Sequence, residues 1–170
     1  NMDMYQYEKV MTVVDEEDVK FSRLAFFDAF GVQKNISIMS GQLERAFKEG
    51  ISFDASAVAG FDSEVKSDLF LHPDPSTFSI LPWRPSTGRV ARMYCYIRYP
   101  DGTIYEKDSR YILKKAVEKA REKGLKIDFG TEVEFYLFNT DEQGSPTKIP
   151  FDMAGYMDVA PEDKGENIRR

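Results

Sequence analysis

The chain has few of the residues that several common catalytic and metal sites require. Its 170 residues include one cysteine, Cys95, and one histidine, His72. A single cysteine excludes a disulfide within the chain and a zinc site built from several cysteines, and it is compatible with a reducing cytoplasm. Any Ser–His–Asp or Cys–His relay would have to use His72. Because His72 directly precedes Pro73, we expect it to be a structural turn residue.

Long apolar runs and clusters of positive charge are also missing. No apolar segment approaches the length of about 20 residues that spans a membrane, and the first residues do not form a basic and then apolar secretory leader. The net charge is −6, and the lysines and arginines are scattered singly or in pairs. This pattern argues against nucleic-acid binding as the main activity. We therefore expect a soluble, cytoplasmic protein with no nucleic-acid or membrane partner.

The chain does have a globular composition, with 42% hydrophobic and 14% aromatic residues. Residue spacing predicts alternating helices and strands. In chain order they are a helix over Tyr5–Val14, strands over Val19–Phe27 and Asn35–Met39, a helix from a Ser40 N-cap to Glu49 that Gly50 ends, strands over Ser67–Leu71, Phe78–Leu81 and Arg89–Tyr99, a helix from Asp108 or Ser109 to Lys123, and a strand over Gly130–Phe138. The opening strand–strand–helix order is typical of an α+β β-grasp fold, in which a small sheet wraps one short helix.

Two of these elements have a clear apolar face. Alternation along Arg89–Tyr99 predicts an apolar face of Ala91, Met93, Cys95 and Ile97. On such a face the Cys95 thiol is an inert core residue more often than a nucleophile. The helix that begins at Asp108 or Ser109 has a predicted buried stripe of Leu113, Ala116, Val117 and Ala120.

The segment Gly130–Phe138 carries a pair of acids. In a strand, Glu132 and Glu134 would leave the same face with Cα atoms roughly 6–7 Å apart. The segment supplies no lysine or arginine to offset their repulsion. Divalent cations would offset it, because hard oxygen ligands suit Mg²⁺ or Mn²⁺. The alternative is a solvated strand face, which the local pattern alone favours.

A second candidate lies in the small-residue segment Phe53–Phe61, where Asp54 is the only charged residue. Such a loop is suited to pass close to a ligand. The alternative is an Asx turn, in which Asp54 accepts hydrogen bonds from its own backbone. At the other end, residues 163–170 read as a helix that stops before an apolar stripe is established, which predicts a piece of a longer protein.

Several motifs, in order, resemble glutamine synthetase of the bacterial class with an N-terminal β-grasp domain, from about Glu16 to Arg170. Each motif alone is weak, but their shared order is specific. They are Glu17-Asp18-Val19-Lys20-Phe21, Phe53-Asp54-Ala55-Ser56-Ala57 with the later Lys66-Ser67-Asp68-Leu69, Leu81-Pro82-Trp83, Gly88-Arg89-Val90-Ala91-Arg92, Gly130-x-Glu132-x-Glu134-Phe135, Gly155-Tyr156 and Gly165-Glu166-Asn167-x-Arg169-Arg170.

The resemblance implies an ATP-dependent glutamate–ammonia ligase that works through a γ-glutamyl phosphate with two divalent cations, Mg²⁺ or Mn²⁺. It implies that Glu132 and Glu134 each help hold one metal, while the remaining ligands and the ATP-binding region lie downstream. It also implies that Asp54, with Ser56, lies at the ammonium site of a neighbouring subunit in a double-ring homo-oligomer, where Asp54 takes a proton from the incoming amine. The implied organisation is an N-terminal helix (1–15), a β-grasp domain (16–105) and the incomplete start of a catalytic domain (106–170).

The sequence departs from the family signature at Ala55 and Ala57, where the family has glycine and serine. The missing hydroxyl leaves open a glutamate–amine ligase that uses a larger amine. A non-catalytic β-grasp oligomerisation module is a further alternative, and we expect the 170-residue chain alone to be inactive.

Overall fold

The structure, a computed structural model, describes residues 4–61, 68–84 and 86–169. The chain divides into two compact units, Asn1–Ile127 and Asp128–Arg170. The first unit contains α1 (Met4–Glu16), β1 (Val19–Phe27), β2 (Gln33–Met39), α2 (Leu43–Glu49), β3 (Ile51–Phe53), β4 (Leu69–Pro73), β5 (Ser79–Ile80), β6 (Arg89–Arg98) and α3 (Ser109–Glu122). The second contains β7 (Phe138–Thr140), β8 (Pro146–Pro150) and a single turn of helix, α4 (Glu166–Arg169).

The strands of the first unit form one mixed sheet. Their order is β2-β1-β6-β4-β3, and β5 pairs with β6 outside this path. β1 and β2 form an antiparallel hairpin, whereas β1 and β6 are parallel neighbours in the centre of the sheet. A parallel pair requires a crossover connection, and α2 lies within that crossover. The predicted β-grasp arrangement is confirmed.

The core of the first unit lies between this sheet and the helices α1 and α2. Every second residue of β6 is fully buried, as the alternation predicted, and these residues are Ala91, Met93, Cys95 and Ile97. α2 contributes Leu43, Ala46 and Phe47, and α1 contributes Val10 and Val14. Burial raises the pKa of the Cys95 thiol, which keeps it protonated and unreactive, in agreement with its predicted place in the core.

Of the two predicted ends of α2, the structure contradicts the first and confirms the second. The predicted Ser40 N-cap is wrong: Ser40–Gln42 form a 3₁₀ turn before α2, and the Ser40 hydroxyl donates instead to the Val19 carbonyl oxygen. Gly50 ends the helix as predicted, with a φ of +79°. A side chain there would also collide with His72, since a Cβ atom would lie 2.7 Å from the His72 Nε2.

His72 does not lie in a turn, so that prediction is wrong. It lies within β4, opposite Tyr96 of β6. The extended geometry that a following proline imposes is equally compatible with a strand, and pairing with β6 decides between the two. The predicted start of this strand at Ser67 lies outside the described residues.

α3 begins where the sequence predicted, but its apolar stripe is exposed. The Asp108 carboxylate accepts a hydrogen bond from the Arg110 N–H at 3.1 Å, which caps the helix. No described residue of α3 is buried, and Leu113 is 59% exposed. The predicted burial is therefore wrong, because amphipathic spacing identifies an apolar face but does not supply an element to cover it.

The predicted strand over Gly130–Phe138 is wrong for most of its length. Residues 125–137 have no regular secondary structure, and β7 begins only at Phe138, which pairs with Pro150 of β8. A strand needs a neighbour for its backbone N–H and C=O groups. In the described part of the chain no strand pairs with residues 130–137, and Val133 is 77% exposed.

Within residues 4–61, 68–84 and 86–169, none of the helices combines the length and apolarity needed to cross a membrane.

Candidate functional site

Asp54 lies at the end of β3 and starts a tight turn. The preceding residue, Phe53, packs on Phe26 of β1 with ring centroids 4.9 Å apart. Asp54 caps the 3₁₀ turn Ala55–Ala57, and its Oδ1 accepts hydrogen bonds from the Ser56 N–H at 2.9 Å and the Ser56 hydroxyl at 2.6 Å. The structure therefore joins the two predicted site residues, Asp54 and Ser56, in one exposed turn.

The turn is held in place by its apolar members. Ala55, Val58 and Phe61 are buried, and the Phe61 ring lies 5.1 Å from the ring of Tyr105. Gly60, with a φ of +78°, lies against the turn that joins β1 to β2. The buried apolar residues hold the backbone of the turn in place, while the side chains of Asp54 and Ser56 remain exposed to solvent.

The electrostatics of Asp54 follow from the same contacts. The Ser56 hydroxyl and then the Ser56 backbone N–H hold the pKa of Asp54 below its usual value, because both donate to the ionised carboxylate. Asp54 therefore stays charged at neutral pH. A carboxylate of lowered pKa is suited to attract a cation and is a weak general base.

These hydrogen bonds are those of the Asx turn that the sequence left as the alternative for Asp54. The same pattern occurs between Asp74 and Ser76 and between Asp101 and Thr103. The turn therefore accounts for the backbone conformation but is not a sign of function by itself. It leaves the Asp54 carboxylate exposed, which is compatible with a role in binding.

Glu132 and Glu134 lie in the second unit, on the irregular segment that precedes β7, and both are exposed. Their carboxylate oxygens are donors of the kind that Mg²⁺ and Mn²⁺ prefer. Two carboxylates are too few for a complete octahedral shell. In the described ranges, no group of three or more His, Cys, Asp or Glu side chains is placed to hold a metal ion. The residues present fit a divalent cation in chemical kind but do not complete its site.

A feature that the sequence did not reveal is a cleft of about 630 Å³ in the first unit. Its lining includes His72 of β4, Tyr96 and Arg98 of β6, and Tyr111 and Lys114 of α3. Alternation along β6 does place Tyr96 and Arg98 on the face opposite the core. Nothing in the sequence indicated that the start of α3 lies beside that face.

Comparison with known proteins assigns a family to this architecture. The family model described as "Glutamine synthetase, beta-Grasp domain" matches residues 18–100, and that described as "Glutamine synthetase, catalytic domain" matches residues 106–170. The glutamine synthetase of Clostridium saccharobutylicum is 46% identical over 169 residues, which are 99% of this chain and 38% of that protein. That of Methanosarcina mazei is 45% identical over 163 residues, 96% of this chain and 36% of that protein.

Solved structures agree with the sequence relatives. A structure titled "GmaS/ADP complex-Conformation 1" is 25% identical with a TM-score of 0.60, covering 66% of this chain and 25% of its own. The glutamine synthetase of Plasmodium falciparum has a TM-score of 0.61 over 69% of this chain and 23% of its own, and at 22% identity it supports the fold alone. The chain thus spans little more than a third of the length of the curated relatives it matches. The two family models together cover most of the chain, which therefore belongs to the glutamine synthetase family.

Proposed function

We propose that these residues form the N-terminal part of an ATP-dependent glutamate–ammonia ligase that acts through a γ-glutamyl phosphate. The observation that carries the proposal is the order of the matches, a β-grasp domain followed directly by the start of a catalytic domain on one chain. Because the chain spans only 38% of its relative from Clostridium saccharobutylicum, we propose the activity for the whole protein. Residues 1–170 alone are expected to be inactive.

In this proposal Asp54 binds the ammonium ion. Its carboxylate is exposed, ionised and oriented by two hydrogen bonds from Ser56, so it presents a fixed negative charge to a small cation. The lowered pKa makes cation binding its main contribution. An ammonium ion has no free electron pair, so it gives one proton to Asp54 before the resulting ammonia attacks the carbonyl carbon of the γ-glutamyl phosphate and inorganic phosphate leaves.

Glu132 and Glu134 are proposed to hold Mg²⁺ or Mn²⁺, one carboxylate for each of two ions. Divalent ions supply charge neutralisation around the phosphates of ATP during phosphoryl transfer. Glu132 and Glu134 are separated by a single residue on an exposed segment. Their contribution is to fix part of each coordination shell, and the proposal assigns the other ligands and the ATP-binding region to the remainder of the protein.

The proposed organisation is an N-terminal helix (1–15), a β-grasp domain (16–105) and the beginning of the catalytic domain (106–170), in a cytoplasmic homo-oligomer built as a double ring. The exposed apolar pair Phe21 and Met39 supports self-association of the β-grasp unit. These residues lie opposite each other on β1 and β2 and are 45% and 63% exposed. Contiguous exposed apolar surface marks protein–protein interfaces, and in this proposal the pair forms part of such a surface.

The acceptor amine is proposed to be ammonia. Ala55 is buried, so its methyl group replaces a family glycine without altering the exposed surface. Ala57 is exposed beside Asp54 and replaces a family serine, which favours a glutamate–amine ligase as the second candidate. The matched relatives from Clostridium saccharobutylicum and Methanosarcina mazei are both glutamine synthetases, so ammonia ranks first.

The test is steady-state ligase activity of the full-length protein with ATP, glutamate and either ammonium, methylamine or ethanolamine. We expect ammonium to be preferred, and Glu134→Ala to lower activity by about 100-fold or more, the scale of damage to a metal site. Glu142→Ala is the matched control, since Glu142 is an exposed acid in the turn between β7 and β8. Equal activity of the Glu134→Ala and Glu142→Ala proteins would remove the metal assignment.

Asp54 is tested by substitution with asparagine. If it binds the ammonium ion through its charge, Asp54→Asn raises the KM for ammonium more than it changes the KM for glutamate. A proportional loss with both substrates would contradict a role at the amine. Preference for ethanolamine over ammonium in the unsubstituted protein would favour the second candidate.

A further inference from the structure

The cleft between β4, β6 and the start of α3 has the size of a ligand site. Its volume of about 630 Å³ lies within the range of about 300–1,000 Å³ for small-molecule pockets. Aromatic rings line it at Phe47, Tyr96 and Tyr111. All of its lining residues belong to the unit Asn1–Ile127, so the cleft is independent of Glu132 and Glu134. It does not include Asp54 or Ser56.

The charges around the cleft are unlike those of the chain as a whole. Among the described residues that line it, Asp74 is the only carboxylate. Asp74 is already paired with Arg110, whose Nη2 lies 3.0 Å from the Asp74 Oδ2. The two cations Arg98 and Lys114 therefore remain as the net charge of the lining, in a chain with a net charge of −6. A concave surface with positive charge attracts anions.

The positions of the cations suit an anion inside the cleft. One guanidinium nitrogen of Arg98 donates to the Gly102 carbonyl oxygen at 2.8 Å, which orients the side chain and leaves its other N–H donors available. The Lys114 Nζ lies 5.6 Å from the centre of the Tyr96 ring, and the guanidinium carbon of Arg110 lies 4.5 Å from it. Arg98 and Lys114 thus both line the cleft beside Tyr96, while the charge of Arg110 is offset by Asp74.

The alternative is that these contacts serve only to hold α3 against the sheet. Cation–π contacts at partly exposed sites contribute about 0.5–1 kcal/mol each, which is a sufficient structural role. That account does not require an open cleft or an excess of positive charge. It predicts that removing one lysine changes stability slightly and changes anion binding no more than removing any other lysine on the helix.

We propose that this cleft binds a small multivalent anion, carrying phosphate or carboxylate groups, between Arg98 and Lys114. The site goes beyond the proposed ligase chemistry, because its lining includes none of Asp54, Ser56, Glu132 and Glu134. Its place beside the start of α3 means that a bound anion links α3 to β6 through charge-assisted hydrogen bonds.

The experiment is isothermal titration calorimetry of the 170-residue chain at low ionic strength with inorganic phosphate and, separately, with citrate. The two probes distinguish a phosphate from a carboxylate preference. We expect saturable binding of at least one probe at one site per chain, and a loss of affinity of about five-fold or more in Lys114→Gln. Lys119→Gln is the matched control, since Lys119 is exposed on the same helix and does not line the cleft.

The charge reversals Lys114→Glu and Lys119→Glu extend the test, with circular dichroism to establish that each variant is folded. Binding that is abolished by Lys114→Glu and retained in Lys119→Glu supports the site. Absence of saturable binding by both probes overturns the proposal. Equal losses in the Lys114 and Lys119 variants overturn it as well, because they would show a general effect of net charge.

Discussion

The substitution Gly60→Ala tests how closely the Asp54 turn is held to the rest of the β-grasp unit. Gly60 has a φ of +78°, and a Cβ atom there would lie 2.4 Å from the Cβ of Ala29, in the turn between β1 and β2. A separation that short cannot be tolerated, and Ala29 has no flexible end that can move aside. The substitution therefore forces the two turns apart.

The magnitude has two parts. A non-glycine residue in the left-handed region costs about 1–2 kcal/mol, and overpacking costs typically about 1–3 kcal/mol. We expect Gly60→Ala to lower the free energy of unfolding by about 2–5 kcal/mol, the sum of these two contributions. Gly102→Ala isolates the first part, because Gly102 has a φ of +83° and nothing within 4 Å of its added Cβ. Its expected cost is about 1–2 kcal/mol.

The measurement is urea unfolding of both variants and the unsubstituted chain, followed by circular dichroism. The difference between the two variants is the contribution of the contact with Ala29. If the two variants lose the same free energy of unfolding to within about 0.5 kcal/mol, the usual limit for separating independent effects, the turns do not touch as described. If the full-length protein is the ligase proposed above, the same displacement of the Asp54 turn is expected to raise its KM for ammonium.

Three other predictions concern buried groups of the first unit. Asp108 is 1% exposed and accepts hydrogen bonds from the Ile97 N–H at 3.2 Å and the Arg110 N–H at 3.1 Å. Asp108→Ala should lower the free energy of unfolding, measured by urea titration, by about 2–4 kcal/mol, because α3 loses its cap and the Ile97 N–H loses its acceptor. A loss below about 1 kcal/mol would contradict the two hydrogen bonds. Burial raises the pKa of Asp108 in the folded chain. The stability of the unsubstituted chain relative to Asp108→Asn should therefore be greatest below the unfolded-state pKa of about 3.9, and it should fall as the pH rises through the raised native pKa. Urea unfolding midpoints of both proteins at several pH values measure this difference, and a difference that grows with pH would contradict the raised pKa. Cys95 is fully buried with a raised pKa, so a thiol-reactive dye should label it in urea but not in the native chain, and comparable native labelling would contradict its burial.

The β-grasp half of the chain could be predicted from the sequence because its elements meet one another. Period-two alternation along β6 predicted its four fully buried residues, and turn residues such as Gly50 marked the end of α2. The cap of α3 at Asp108 was predictable for the same reason, since a side chain that bonds the next turn of the backbone is a local feature.

The failures occur where a segment needs a neighbour that local pattern cannot supply. Leu113 of α3 and Val133 of the predicted strand carry apolar faces with the expected period, yet both are more than half exposed. Periodicity reports which side of an element is apolar, and the hydrogen bonds of a strand depend on a second strand. Glu132 and Glu134 therefore lie in an irregular segment, although the motif that contains them still points to the family.

Asp54 shows what separates a candidate site from a turn of the same geometry. Asp74 and Asp101 accept the same pair of hydrogen bonds as Asp54, so hydrogen bonding cannot distinguish the three. Ion pairing distinguishes Asp54 from Asp74. Asp74 is paired with Arg110, whereas no ion pair to Asp54 occurs among the described residues. A fixed, exposed and uncompensated carboxylate has its full charge available for a small cation. Asp101 shares that exposure, and only the position of Asp54 within the family motif selects it over Asp101. If Asp54→Asn and Asp101→Asn raised the KM for ammonium equally, the selection of Asp54 would be wrong.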